Sequence, residues 1–147
     1  MSTSSYFERL HPSVGFLIAL GLSAPLVLLS VLPVSETYAI ALAGVVPLAL
    51  IALSVFSAPT IKVDEILSAG RIRIPISALG NIEVISGDAL KHERGPGLSP
   101  ASQFLIRGDI KTMVKIQVVD PADPTSYLLI STRNPEALAS ALDANRS

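Results

Sequence analysis

Hydrophobic residues fill two long runs in the first part of the chain, residues 14–34 and 38–56. Each run approaches the roughly 20 apolar residues that a helix needs to cross a bilayer at about 1.5 Å per residue. The only charged side chain between Pro12 and Ile61 is Glu36. Because the polar connector "SET" at 35–37 allows only a tight turn, the pattern predicts an antiparallel pair of transmembrane helices.

From Pro59 onward the hydrophobic runs become short, β-branched and punctuated by Gly, Pro, Asn and Asp, which is typical of strands. In "RIRIPIS" the isoleucines alternate with Arg71 and Arg73, and in "MVKIQVV" Lys115 and Gln117 alternate with apolar residues. Side chains two apart share one face of a strand, so we expect one buried sheet face and one face in water. The predicted strands are 60–64, 65–70, 71–77, 81–86, 102–107, 113–120 and 126–132.

The segment "NPEALASALDA" predicts a C-terminal helix over 135–144. Asn134 suits the N-cap, Pro135 the first helical position and Glu136 the first turn, while Leu138 and Leu142 form one apolar stripe. Seven strands followed by one helix match the order of a pleckstrin-homology-like fold. The sequence therefore predicts an α+β membrane protein, with a transmembrane hairpin domain at 1–58. A small pleckstrin-homology-like β-barrel or sandwich at 59–147, closed by the C-terminal helix, is the second predicted domain.

Composition supports the membrane assignment and narrows the function. Half of the residues are hydrophobic and only 16% are charged, with a mean hydropathy of +0.56. A net charge of -1 provides no basic field to attract nucleic acid, so nucleic-acid binding is not expected. The chain has no Cys, which excludes disulfides, thiolate chemistry and iron–sulfur clusters.

Lys and Arg near the apolar runs predict the orientation. Arg9 precedes the first run, the connector has neither residue, and Lys62, Arg71 and Arg73 follow the second run. The positive-inside rule then places both termini in the cytoplasm. A cleaved signal peptide is the competing interpretation, but the first run is longer than a usual signal h-region and a second run follows directly.

The stretch "DPADP" contains Asp120 and Asp123, which have the chemistry of a metal or acid/base pair. It lies between two predicted strands, where Pro fixes φ and Asp accepts a hydrogen bond from its own backbone two residues on. With two His in the chain, no further strong metal ligand is evident. We therefore expect a turn and no metal site.

The segment "LKHERGPGLSPAS", residues 90–102, contains Lys91, His92, Glu93 and Arg94 ahead of Gly-Pro-Gly. A phosphate-binding loop would need a preceding strand, a defined glycine spacing and a following helix, and this sequence pattern indicates none of them. His92 and Glu93 could act as a base and its orienting group, but no nucleophile is placed by a known spacing. We expect a crossover loop and no enzymatic activity.

Four stretches together resemble a known family: "YFERLHPS", "IPISALG", "RGPGLSP" and "VVDPADPTSYLLISTRNPEALASAL". They are similar to the actinobacterial two-span membrane proteins of domain of unknown function family 3093. The resemblance covers most of the chain and is densest in the last stretch. It implies a membrane location and leaves the role unassigned.

Two functions remain open. The first is a non-enzymatic membrane protein whose cytoplasmic β domain binds a protein partner, as an accessory or regulatory subunit. The alternative is a protein that binds lipid headgroups or a small ligand at the bilayer surface. No cofactor is expected in either case. The candidate interaction surface consists of Arg71, Arg73, Lys91, Arg94, Lys115 and Gln117.

Overall fold

The computed structural model describes residues 5–147, which form two compact units. One unit, the helical hairpin, comprises 11–58, and the other, the β unit, comprises 5–10 together with 59–147. The N-terminal residues therefore belong to the β unit, although the hairpin separates them from the rest of it in sequence.

The helical hairpin contains three helices. These are α1 (Val14–Gly21), α2 (Ser23–Val31) and α3 (Glu36–Phe56). α1 and α2 meet at Leu22, three residues before Pro25, whose missing N–H removes the helical bond to residue 21. α3, in contrast, continues through Pro47.

Two stretches of the hairpin, Val14–Val31 and Glu36–Phe56, are long and apolar enough to cross a membrane. Neither α1 nor α2 buries a residue, and α3 buries only Ala39 and Pro47 among its described residues. Serine hydroxyls in these helices donate to carbonyls of the same chain, as Ser30 does to Leu26 at 2.7 Å. The hairpin thus presents apolar side chains outward, and the hydroxyls of Ser23, Ser30, Ser54 and Ser57 are bonded to its own carbonyls.

The β unit contains two four-stranded sheets, a short 3₁₀ turn at Ile76–Ala78 and two helices within residues 5–10 and 59–147. Sheet 1 runs in the order β1 (Tyr6–Arg9), β2 (Thr60–Val63), β3 (Ile66–Ala69) and β4 (Ile72–Pro75), all antiparallel. Sheet 2 runs in the order β5 (Leu79–Ser86), β7 (Thr112–Val118), β8 (Tyr127–Ser131) and β6 (Gln103–Leu105). Its β6–β8 pair is parallel. The helices are α4 (Gly87–Arg94) and α5 (Pro135–Arg146).

All seven predicted strands are confirmed, as is the C-terminal helix. Both sheets and α5 share one core, which includes Ile61, Ile74, Ile116 and Leu138. Leu138 and Leu142 are fully buried, as the spacing predicts. Asn134 occupies the N-cap position, but its side chain makes no capping bond.

Strand β1 and helix α4 were not predicted. Residues 6–9 were assigned to the hairpin domain without a strand of their own, yet they pair with β2 from Tyr6↔Val63 to Arg9↔Thr60. Residues 87–94 form a helix in a region expected to be partly loop. α4 covers the face of sheet 2 opposite the main core.

Candidate interaction surface

The outer face of sheet 1 carries a row of mostly polar side chains across all four strands. The register aligns Phe7 with Lys62, Lys62 with Ser68, and Ser68 with Arg73. Each alternates with core residues such as Ile61, so this row points away from the core. Phe7 is 61% exposed, and the Lys62 Nζ lies 5.5 Å from the centroid of its ring.

A second row on the same face lies closer to the ends of β1 and β2 that continue into the hairpin. Arg9 pairs with Thr60, and the N–H of Gly70 donates to the Thr60 carbonyl at 3.1 Å. Gly70 has a φ of +61°, which glycine adopts without steric cost, and Arg71 completes this turn before β4. We call Arg9, Lys62, Arg71 and Arg73, together with Phe7, the basic face.

The other predicted surface residues lie elsewhere, on α4 and sheet 2. Lys91 is exposed and forms an ion pair with Asp88 at 3.8 Å. Arg94 is half-buried: its Nη2 donates to the Arg107 carbonyl at 2.9 Å and also to the Ile110 carbonyl. Its Nε is buried and has no hydrogen-bond partner among the described residues. Arg94 therefore ties α4 to the segment before β7.

The expectation that Lys115 lies on a sheet face in water was wrong. Met113 and Leu129, on the same face as Lys115, are buried in a second apolar cluster with Ile85 and Leu90 of α4. The Lys115 Nζ lies 3.1 Å from Glu93 Oε1 and 4.6 Å from the centroid of the Tyr127 ring. Gln117 remains exposed.

The physical reason for this burial is that apolar residues occur at consecutive positions in β7 and β8, as in "MV" and "LLI". A strand with apolar residues at both odd and even positions buries both of its faces. The Glu93 carboxylate, paired with Lys115, is also diverted from the proposed role of orienting His92.

The Asp-Pro segment is a turn, as predicted. Asp120 Oδ1 accepts from the N–H of Ala122 at 2.9 Å, and Asp123 Oδ1 accepts from the N–H of Thr125 at 2.8 Å. Hydrogen bonds from the side chain and backbone of Thr125 hold the pKa of the Asp123 carboxyl below its usual value. Within residues 5–147, no group of three or more His, Cys, Asp or Glu is placed to hold a metal ion.

Beside this turn lies a shallow, open groove of about 410 Å³. It is lined by Pro100, Ala101, Ser102, Gln103, Pro124 and Thr125. Its walls are connected by hydrogen bonds from Ser126 N–H to the Ala101 carbonyl at 2.9 Å and from Gln103 to Thr125 at 2.9 Å. Phe104, next to Gln103 in sequence, is 54% exposed.

Sequence reasoning missed a polar network that joins β1 to the start of α5. The Glu8 carboxylate accepts from the Tyr6 hydroxyl at 2.8 Å, from the Thr132 hydroxyl and from the Arg133 N–H at 3.0 Å. Burial, with a contribution from Glu8, raises the pKa of Tyr6 to about 12. Tyr6 is therefore protonated, and able to donate to Glu8, throughout the physiological pH range.

The polar network extends to the loop before β7. The Arg133 guanidinium lies 3.6 Å from Asp109 Oδ2, and Arg107 lies 3.1 Å from Asp109 Oδ1. The N–H of Arg107 donates to the buried hydroxyl of Ser131 at 2.9 Å. The polar residues of "STRN" thus hold three segments of the β unit together.

Comparison with known proteins agrees with the motifs. The family model described as "Protein of unknown function (DUF3093)" matches residues 5–142, which include both the hairpin and nearly all of the β unit. No curated protein and no solved structure matches the chain.

Proposed function

We propose that this chain, which belongs to the DUF3093 family, is a non-enzymatic, two-span membrane protein, and the resemblance of its motifs implies an actinobacterial source. In this proposal the β unit lies in the cytoplasm and binds a protein partner, as an accessory or regulatory subunit. The pleckstrin-homology-like assignment belongs to the same proposal. It is supported by two sheets packed on one core with a helix at the C-terminus.

The observation that carries this proposal is the position of the hairpin in the chain. It is inserted between two hydrogen-bonded strands, since Arg9 pairs with Thr60 and the Leu10 N–H donates to the Pro59 carbonyl at 2.9 Å. Strands of one sheet lie on one side of a membrane, so the chain between them crosses an even number of times. Two apolar helices satisfy this requirement. Cleavage of the first apolar run as a signal peptide would instead remove β1 from sheet 1.

The distribution of charge supports a cytoplasmic β unit. Arg9, Lys62, Arg71 and Arg73 lie within 20 residues of the helix ends on the β-unit side, and the segment between α2 and α3 has no Lys or Arg. Such an excess of cations marks the cytoplasmic side. Glu36 is the only charged residue from the start of α1 to the end of α3, so the helices offer no ionic route for transport.

A non-enzymatic role is supported by the partners of the side chains that could perform chemistry. Glu8, Glu93 and Asp109 each bind groups of the β unit itself, and Asp120 and Asp123 hold their own turn. The groove between residues 100–103 and 124–125 favours a protein partner, because loops on a rigid scaffold commonly carry recognition.

We expect both ends of the β unit to be inaccessible from outside the cell. The chain has no native Cys, so single Cys variants at Ser5, Ser35 and Ser140 can be labelled with a membrane-impermeant maleimide in intact cells. Ser35→Cys between the helices should react, whereas Ser5→Cys and Ser140→Cys should react only after permeabilisation. Labelling of Ser140→Cys in intact cells would overturn the orientation, and different results for Ser5→Cys and Ser140→Cys would overturn the even number of crossings.

A photo-crosslinking amino acid at Ala101, in the groove, is expected to give one discrete crosslinked species in native membranes. The same amino acid at Ser86, an exposed position outside the groove, serves as the matched control. Crosslinks at Ser86 alone, or at neither position with a folded protein in the membrane, would contradict partner binding at the groove.

A further inference from the structure

We propose that the basic face binds the phosphate groups of anionic phospholipids in the bilayer that the apolar helices cross. This inference rests on the proposed membrane anchoring and is independent of the protein partner. It assigns a ligand class to a surface of sheet 1 that is separate from the groove.

The basic face concentrates positive charge on a chain whose net charge is -1. Four of the 11 Lys and Arg residues lie on it, and no described side chain in its two rows is a carboxylate. The nearest carboxylates along β2 and β3, Asp64 and Glu65, lie in the turn between these strands, just beyond the row that contains Lys62 and Ser68. The face therefore presents a local positive field that attracts anionic groups.

Three cations of the basic face differ in their partners from most of the cations elsewhere. Among the described residues, Lys62, Arg71 and Arg73 form no ion pair with a carboxylate. The cations elsewhere that do form such pairs are Lys91, Arg107, Lys115, Arg133 and Arg146. The charges of Lys62, Arg71 and Arg73 are thus available to an external anion.

Chain length keeps this face near the proposed membrane. Arg9 is five residues before the start of α1, and Lys62 is six residues after the end of α3. At the extended limit of about 3.6 Å per residue, these are separations of at most about 18 and 22 Å. If the helices end in the bilayer, its anionic headgroups lie within these distances of Arg9 and Lys62.

Phe7 gives the basic face an apolar element. It is exposed and adjacent to Lys62, with the ammonium group over its ring. In segments that lie on a bilayer surface, Phe enters the boundary between headgroups and acyl chains while neighbouring Lys and Arg contact the anionic headgroups. The exposed ring beside four cations thus combines the apolar and cationic groups that such a surface contacts.

The test uses the full chain with a bimane fluorophore on Ile66→Cys, an exposed β3 position on the outer face of sheet 1, one row beyond Ser68. The protein is reconstituted into phosphatidylcholine vesicles with or without 30% phosphatidylglycerol, each with a small fraction of headgroup-nitroxide lipid. We expect stronger quenching with phosphatidylglycerol and loss of the difference in 1 M NaCl, where the Debye length is about 3 Å.

Replacing cations of the basic face should weaken its binding to the anionic vesicle surface. Each Lys or Arg contributes about a fivefold preference for the anionic surface, so Lys62→Gln with Arg71→Gln and Arg73→Gln should lower the bound-to-free ratio by about a hundredfold. The control variant, Lys91→Gln with Lys111→Gln and Arg146→Gln, has the same net charge and should keep the phosphatidylglycerol dependence.

The outcomes separate this inference from the proposed anchoring. Flotation after carbonate extraction reports whether the helices hold the chain in the vesicle, and its failure would overturn the anchoring. If the native chain floats but shows no phosphatidylglycerol dependence, the lipid inference is wrong and the anchoring stands. Equal losses in the test and control variants would also overturn it, because the effect would then follow net charge and not this face.

Discussion

Truncating Leu138 to alanine is expected to lower the free energy of unfolding of the β unit by about 2–5 kcal/mol. Leu138 is fully buried on α5, in the core that both sheets share. Its truncation removes apolar contacts and leaves a cavity that the surrounding strands fill only partly. Because a domain of ordinary stability has only about 5–15 kcal/mol in total, this loss is readily measured.

Urea unfolding of the full chain in detergent, followed by tyrosine fluorescence, provides the measurement. The chain has three Tyr and no Trp, and Tyr6 and Tyr127 lie in the β unit. Ser140→Ala, at an exposed position on the same helix, is the matched control and should leave the transition in place. An unchanged transition for Leu138→Ala would show that α5 does not seal the core.

Replacing Glu8 with alanine is expected to be the second most damaging change, with a loss of about 1.5–3 kcal/mol. One carboxylate accepts hydrogen bonds from Tyr6, Thr132 and Arg133, and Thr132 is fully buried. A buried donor left without its charged acceptor bears a desolvation cost that water does not compensate. β1, a sheet edge held by this network, should loosen first.

Hydrogen exchange can locate the effect of Glu8→Ala. Amides of residues 6–9 should exchange faster, together with a lower urea midpoint. Glu65→Ala, which removes an exposed carboxylate from the β2–β3 turn, is the control and should change neither quantity. If Glu8→Ala behaves like Glu65→Ala, the network does not stabilise β1.

Strands β2 to β8 were predictable because the β unit folds on short apolar runs bounded by turn residues. β1 was not, because its pattern is inverted: Phe7 points outward and Glu8 points inward. A strand with an inward carboxylate is unfavourable unless a donor is supplied. Here the donors come from Thr132 and Arg133, more than 120 residues away in sequence, and local pattern reading has no access to them.

α4 was not predicted for a different reason. Of its eight residues only Leu90 is buried, so it offers no repeating apolar stripe for periodicity to detect. Its effect on the candidate surface is large, because it covers the sheet face that bears Lys115. The burial of both faces of sheet 2 was nevertheless visible in the consecutive apolar residues of β8.

The candidate surface was predictable only in part. Alternation identified Arg71 and Arg73, which lie on the basic face. Arg9 and Lys62 entered the sequence argument only as indicators of orientation, since they are 53 positions apart. The pairing of β1 with β2 brings Arg9 and Lys62 onto the same face as Arg71 and Arg73. That pairing could not be predicted, because the hydrophobic pattern does not indicate β1.

The insertion of the hairpin between β1 and β2 also determines the order in which the protein is completed during synthesis. β1 leaves the ribosome first, but its strand partner follows only after both apolar helices, and Thr132 follows Glu8 by 124 residues. At roughly 5–20 residues per second, translation of the whole chain takes about 7–30 s. β1 has no strand partner until β2 has been translated, and Glu8 lacks Thr132 for most of the synthesis. A ribosome that stalls before α5 therefore leaves a finished hairpin with an unfinished β unit at both ends.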